Sequence, residues 1–163
     1  MKTPILLIAI FCCSFVKAQE SSTQNIYNSI VEVLTSAHSN FGKESPFIIQ
    51  KSDSNNYILN LSSISKSTHS QVEEFFVLDL KHVSDVFAVP PMGEEYKVIV
   101  SLKKKILITK KNTDYKNLFH DEVITEDIRE VEDVWILFSK EEDANNFEKK
   151  IMAMKALLGV TKE

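Results

Sequence analysis

The sequence predicts an α+β fold in which one helix precedes about six or seven short strands and a second helix follows them. Three observations carry this. Apolar residues recur at three- and four-residue spacings near both ends, the pattern of a single buried helix face. Between them, short runs alternate apolar and polar residues with period two, as half-buried strands do. Pro90, Pro91 and Gly93 interrupt those runs where a ladder loses its donors and the chain can reverse.

Taken in order, Ile26, Ile30, Val33 and Ala37 share one face of a helix expected over about residues 22–39, with Ser21, Ser22 or Thr23 as its cap. Phe47-Ile48-Ile49 is a short apolar run, and Lys51 to Asn56 reads as a polar turn. Tyr57 to Leu61 predicts a strand. Ser62 to Ser70 predicts a loop, because its hydroxyls bond locally in preference to a ladder. Phe75 to Leu80 is a strand with Phe76, Leu78 and Leu80 on one face, and Val86 to Val89 extends the sheet up to the prolines. Tyr96, Val98, Val100 and Leu102 alternate into Ile106 and Ile108, with a hairpin turn expected near Lys103 to Lys105. Asn112 to Glu132 is polar and expected to be irregular, anchored by Leu118 and Phe119, before Val134 to Phe138 forms a last buried strand. Ser139-Lys140-Glu141-Glu142 has the form of a capping box. Ala144, Phe147, Ile151, Met154 and Leu158 then define the apolar face of a helix over about residues 140–158, which Gly159 ends in the left-handed conformation.

The first 18 residues read as a secretory signal peptide: Met1-Lys2, the 13-residue apolar run from Pro4 to Val16, and a small-residue cleavage site ending at Ala18. That run falls short of the roughly 17 to 25 residues a membrane span needs, so no transmembrane span is expected. The mature protein is expected to begin at Gln19 and to be secreted or periplasmic. Cys12 and Cys13 both lie in the signal, which leaves the mature chain without thiols in an oxidising compartment and dependent on its hydrophobic core. A lipoprotein signal is the competing reading, but Ala9-Ile10-Phe11 before Cys12 lacks the small residues that such cleavage requires. Removing residues 1–18 from the 163 leaves 145, a length that suits one domain over 19–163. Its 17 basic and 23 acidic residues give a formal charge of −6, which argues against nucleic acid as a partner.

Two stretches resemble pleckstrin-homology-like domains. Phe76 to Val86 is similar to the strand, short connection and strand of that family, and Val134 to Gly159 to its final strand and helix, with Phe138 just before the cap and the small Ala144. The resemblance covers about residues 57–159 within a core of about 47–159. It implies an antiparallel, partly closed β-barrel of about six or seven strands with a C-terminal capping helix, preceded here by the additional N-terminal helix. It also implies a non-enzymatic binding module for a protein or peptide partner. The family binds phosphoinositides through basic residues between its first two strands. The corresponding Lys51 to Asn56 has one lysine, which disfavours that route.

Lys103, Lys104, Lys105, Lys110, Lys111 and Lys116 concentrate positive charge and form the candidate surface for an anionic partner. The plainer reading is that they keep an exposed strand from aggregating. His120, Asp121, Glu122, Glu126, Asp127, Glu130, Glu132 and Asp133 suggest the alternative of a small metal-dependent hydrolase. Without a calcium-loop spacing, they read more simply as a solvated loop that complements the lysines. His38, His69, His82 and His120 are scattered, with no pair at the spacing of a zinc site, and are expected at the surface or in turns. Three chance Ser-x-x-Lys matches lack the accompanying acylase motifs, and three glycines cannot build a phosphate loop. Asn60-Leu61-Ser62 is a glycosylation sequon at a strand end. No residue is assigned to catalysis, to a cofactor or to a metal.

Overall fold

The structure, a computed structural model, describes residues 22–39, 45–53, 56–116 and 121–159. The signal peptide, Leu118, Phe119 and His120 of the sequence reading lie outside them. Within them the chain is α+β, with seven antiparallel strands in a nearly closed, barrel-shaped sheet and two helices.

Helix α1 covers residues 22–34. Its buried face is Thr23, Tyr27, Ile30 and Leu34, whereas Ile26 and Val33 are only half-buried, so the helix is rotated from the expected stripe. Tyr27 decides the rotation: its ring packs on Tyr57 at 6.2 Å and its hydroxyl donates to the Ile58 carbonyl at 2.8 Å. The helix also ends earlier than expected, because Ala37 and His38 form strand β1 (Ala37–His38), paired with Phe138 and Leu137.

Strands β2 (Phe47–Asp53), β3 (Ile58–Lys66) and β4 (Ser70–Asp79) form a meander. The serine-rich stretch is therefore a ladder and not a loop. Ser62 to Lys66 pair with Gln71 to Phe75, and the long-range pairing outweighs the local preference of the hydroxyls. That preference survives only at the turn, where Ser67 Oγ accepts from the Ser70 amide at 3.1 Å. The expected alternation holds in β4: Phe76, Leu78 and the following Leu80 are buried, and Phe75 and Val77 face outward. Phe76 meets Phe47 of β2 edge-on at 5.8 Å, across the curl of the sheet.

A 3-10 turn, Leu80–His82, leads to β5 (Val83–Met92), which ends at the prolines and reverses at Gly93 with φ 85°. Strand β6 (Glu95–Lys116) is one continuous element in place of the expected hairpin. Lys103 to Lys105 form no turn but sit in an irregularity between Ser101 and Ile106, where β6 has extra residues opposite β7. Before this bulge β6 pairs with β5, and after it with β4. Strand β7 (Asp121–Phe138) runs the length of β6, so most of the stretch expected to be irregular is in fact strand, with β4 paired to the other side of β6 as far as Asp114. Polar residues mislead there because residues 123–130 of β7, at the side of the sheet, are exposed on both faces.

The sheet order is β1-β7-β6-β4-β3-β2, and a bridge between His38 and Pro46 draws its two ends together. Helix α2 (Glu141–Leu157) buries the predicted Ala144, Phe147, Ile151 and Met154 against β5, β6, β7 and the 3-10 turn. Gly159 follows at φ 67°, as expected. The capping box does not form: Lys140 occupies the cap position without a side-chain bond, and Glu141, Glu142 and Asp143 favour the helix start through the dipole instead. Lys155, on the last turn, is buried and donates through Nζ to the Ser84 carbonyl.

Candidate functional site

The register of four strands brings one row of polar side chains to a single face. Ser63 on β3 stands opposite Glu74 on β4, Glu74 opposite Lys110 on β6, and Lys110 opposite Asp127 on β7. Directly opposed residues share a face of a sheet, so these four lie side by side. The next row is Leu61, Phe76, Ile108 and Arg129, which supplies an apolar floor with a cation at its end.

Glu74 is the unusual member, a carboxyl only 8% exposed beside Phe76 in the core. Burial pushes its pKa above the ordinary range, an effect that the charges of Arg129 and Lys110 partly oppose. Among the described residues no hydrogen bond or salt bridge reaches its side chain, and Arg129 is turned to Asp127 at 3.4 Å. Ser63 Oγ and Asn112 Oδ1 are buried on the same face without hydrogen-bond partners. Three oxygen-bearing groups thus have unused capacity, where most buried polar groups are satisfied.

Glu74, Phe76 and Ile108 form one wall of an open cleft of about 360 Å³. Its other wall is β7, which contributes five successive residues from Val131 to Trp135. The alternation of β7 breaks in this stretch, since Val131 and Val134 both pack on the core beside the irregularity between Ser101 and Ile106, so residues of both parities border the cleft. Among the described residues, 121–136 of β7 pair with β6 alone, since β1 reaches only Leu137 and Phe138. Trp135 at the mouth is 47% exposed, with Lys97 Nζ over its ring at 4.1 Å. Ser101 donates to Asp133 at 2.6 Å, and Lys105 lies 3.9 Å from Glu132.

The six lysines all fall on β6. Lys103, Lys104 and Lys105 are exposed at the bulge, while Lys110, Lys111 and Lys116 stand opposite Asp127, Glu126 and Asp121. The acidic stretch expected to be a solvated loop is the complementary strand β7, and its carboxylates alternate between two faces. Among the described residues no group of three His, Cys, Asp or Glu side chains is placed to hold a metal ion. His69 and His82 are in turns, as expected. His38 is not at the surface: it is buried in β1, with Nδ1 3.3 Å from the Ser39 carbonyl and Nε2 3.8 Å from Glu95.

Sequence reasoning missed Glu74, Arg129 and Trp135 as cleft residues. Glu74 had a signal: carrying the alternation of Phe76 and Leu78 two residues back places it on the buried face. Arg129 and Trp135 had none, because their relation to Glu74 depends on the register of β6 with β7. Compared with protein-family models, curated proteins and solved structures, the chain matches none. Among the described residues no helix is long and apolar enough to cross a membrane.

Proposed function

We propose that this protein is an exported, non-enzymatic binding module of pleckstrin-homology-like type that captures its partner at the cleft beside β7. The order of meander, hairpin and C-terminal helix supports the family reading, and the apolar run before Ala18 supports export. One observation carries the binding reading: Glu74, largely buried and without a hydrogen bond or ion pair among the described residues, lines an open cleft. Desolvating a carboxyl without a partner costs stability, and a ligand that supplies donors recovers that cost. Lys110 and Lys111 stand opposite Asp127 and Glu126, acids that offset their charge, so the proposed recognition surface is the cleft and not the lysine face.

Trp135, the single tryptophan, is a built-in reporter at the cleft mouth. Titrating the mature protein with a panel of peptides, soluble lipid headgroups and small amines should give at least one saturable change in its fluorescence. Val131→Phe, which fills the cleft, should abolish that change. No saturable ligand in any class, or binding unaffected by Val131→Phe, refutes the reading. Intact mass of the exported form should correspond to a chain beginning at Gln19, and an acylated cysteine at the start would refute the export mechanism.

A further inference from the structure

We infer, resting on the binding reading above, that the ligand of the cleft is a free α-amino acid with an apolar side chain, its ammonium held by Glu74 and its carboxylate by Arg129. Three properties of the cleft lead to this: opposite charges that do not meet, an apolar floor between them, and a rim that repels anions.

Phe76, Ile108 and Arg129 stand in one row across β4, β6 and β7, and Glu74 is two residues from Phe76 on the same face of β4. Strands about 4.8 Å apart, with a rise of about 3.3 Å per residue, put the Glu74 and Arg129 backbones about 12 Å from each other across Ile108. Side chains rise roughly perpendicular to a sheet, so the two charged heads stand apart, and Arg129 contacts Asp127 instead. Both line the cleft. Arg129 is nonetheless near enough to oppose the effect of burial on the Glu74 carboxyl.

A ligand that bridges them carries a cation and an anion on one small frame. Glu74, 8% exposed and without a bonded donor among the described residues, calls for donors, and an ammonium brings three and no acceptor. Arg129 can turn to an anion: its Nε lies 3.4 Å from Asp127, long for a charge-assisted bond, and both side chains are more than half exposed, so that pair contributes little. A ligand carboxylate offers the two oxygens that a guanidinium fork matches.

Singly charged ligands fit less well. An anion alone meets Glu74, Glu132 and Asp133, three carboxylates against one guanidinium. A cation alone satisfies Glu74 but sets a second positive charge beside Arg129. Phe76, Ile108, Val131 and Val134 supply apolar surface for the side chain. A volume of about 360 Å³ is near the lower end of small-molecule pockets, which suits one amino acid and not a peptide.

The test titrates the mature protein with leucine, followed by Trp135 fluorescence and by calorimetry. Saturable binding is expected. Leucinamide, which keeps the ammonium alone, and 4-methylpentanoate, which keeps the carboxylate alone, should each bind at least about tenfold more weakly. Glu74→Gln should weaken leucine about tenfold or more without weakening 4-methylpentanoate, and Arg129→Gln should do the same to leucine without weakening leucinamide. Either single-charge analogue binding as tightly as leucine, or leucine binding untouched by either substitution, overturns the assignment. If leucine fails while another ligand saturates the cleft and is blocked by Val131→Phe, this inference falls and the binding reading stands. If nothing binds in any class, both fall.

Discussion

Replacing Phe147 with alanine asks whether α2 is part of the core or a helix free to engage a partner. Phe147 is fully buried, and its ring lies 5.5 Å from that of Phe138 at the end of β7. Truncation forfeits roughly 1.5–3 kcal/mol of burial and about 0.5–1.5 kcal/mol from the ring pair. A residual cavity adds to the loss, which places the total near 4 kcal/mol, inside the range of about 3–5 kcal/mol for buried phenylalanines. With a urea slope of about 2 kcal/mol/M for a chain of this size, the midpoint should fall by about 2 M. Urea unfolding followed by far-UV circular dichroism measures this directly. Met152→Ala, on the exposed face of the same helix, is the control and should change stability by less than about 0.5 kcal/mol. A midpoint for Phe147→Ala within about 0.5 M of the parent would refute the reasoning, because no buried ring could be lost so cheaply.

Tyr27→Phe keeps the ring against Tyr57 but removes the bond to the Ile58 carbonyl, and should cost about 1 kcal/mol by chemical denaturation. Lys155→Met keeps the apolar stem but leaves the Ser84 carbonyl without its cationic donor, for a loss of about 1.5–3 kcal/mol in the same assay. Glu74 sets a pH dependence. Its folded-state pKa is raised above the ordinary 4.5 by burial, so the group favours the folded state below pH 4.5 and loses that contribution as pH rises through the raised value. Glu74→Gln should therefore melt at a higher temperature than the parent at neutral pH, with the gap closing below pH 4.5, and a gap that stays constant across this range would contradict the assignment. Arg129, Lys110, Glu132 and Asp133 stay in place in both proteins, so the comparison isolates Glu74.

Local pattern alone determined several elements of this protein. The face of α2 was legible because a helix repeats every 3.6 residues and its buried positions are consecutive in that repeat, as Ala144, Phe147, Ile151 and Met154 show. The central strands were legible for the same kind of reason, since Phe76-Leu78-Leu80 and Val98-Val100-Leu102 alternate against one core. Pro90, Pro91 and Gly93 marked the reversal between β5 and β6 because their backbone chemistry is local. The tertiary structure decided what depends on distant partners. Tyr27 rotated α1 by reaching Ile58, a contact 31 residues away that no helical period contains. Residues 112–116 and 121–132 look like loop, yet they are strand because β6 and β7 pair there, and Lys103 to Lys105 look like a turn, yet they carry β6 through its irregularity. The cleft belongs wholly to this second class. Its walls come from β4, β6 and β7, and only the register between those strands brings Glu74, Arg129 and Trp135 to one cleft.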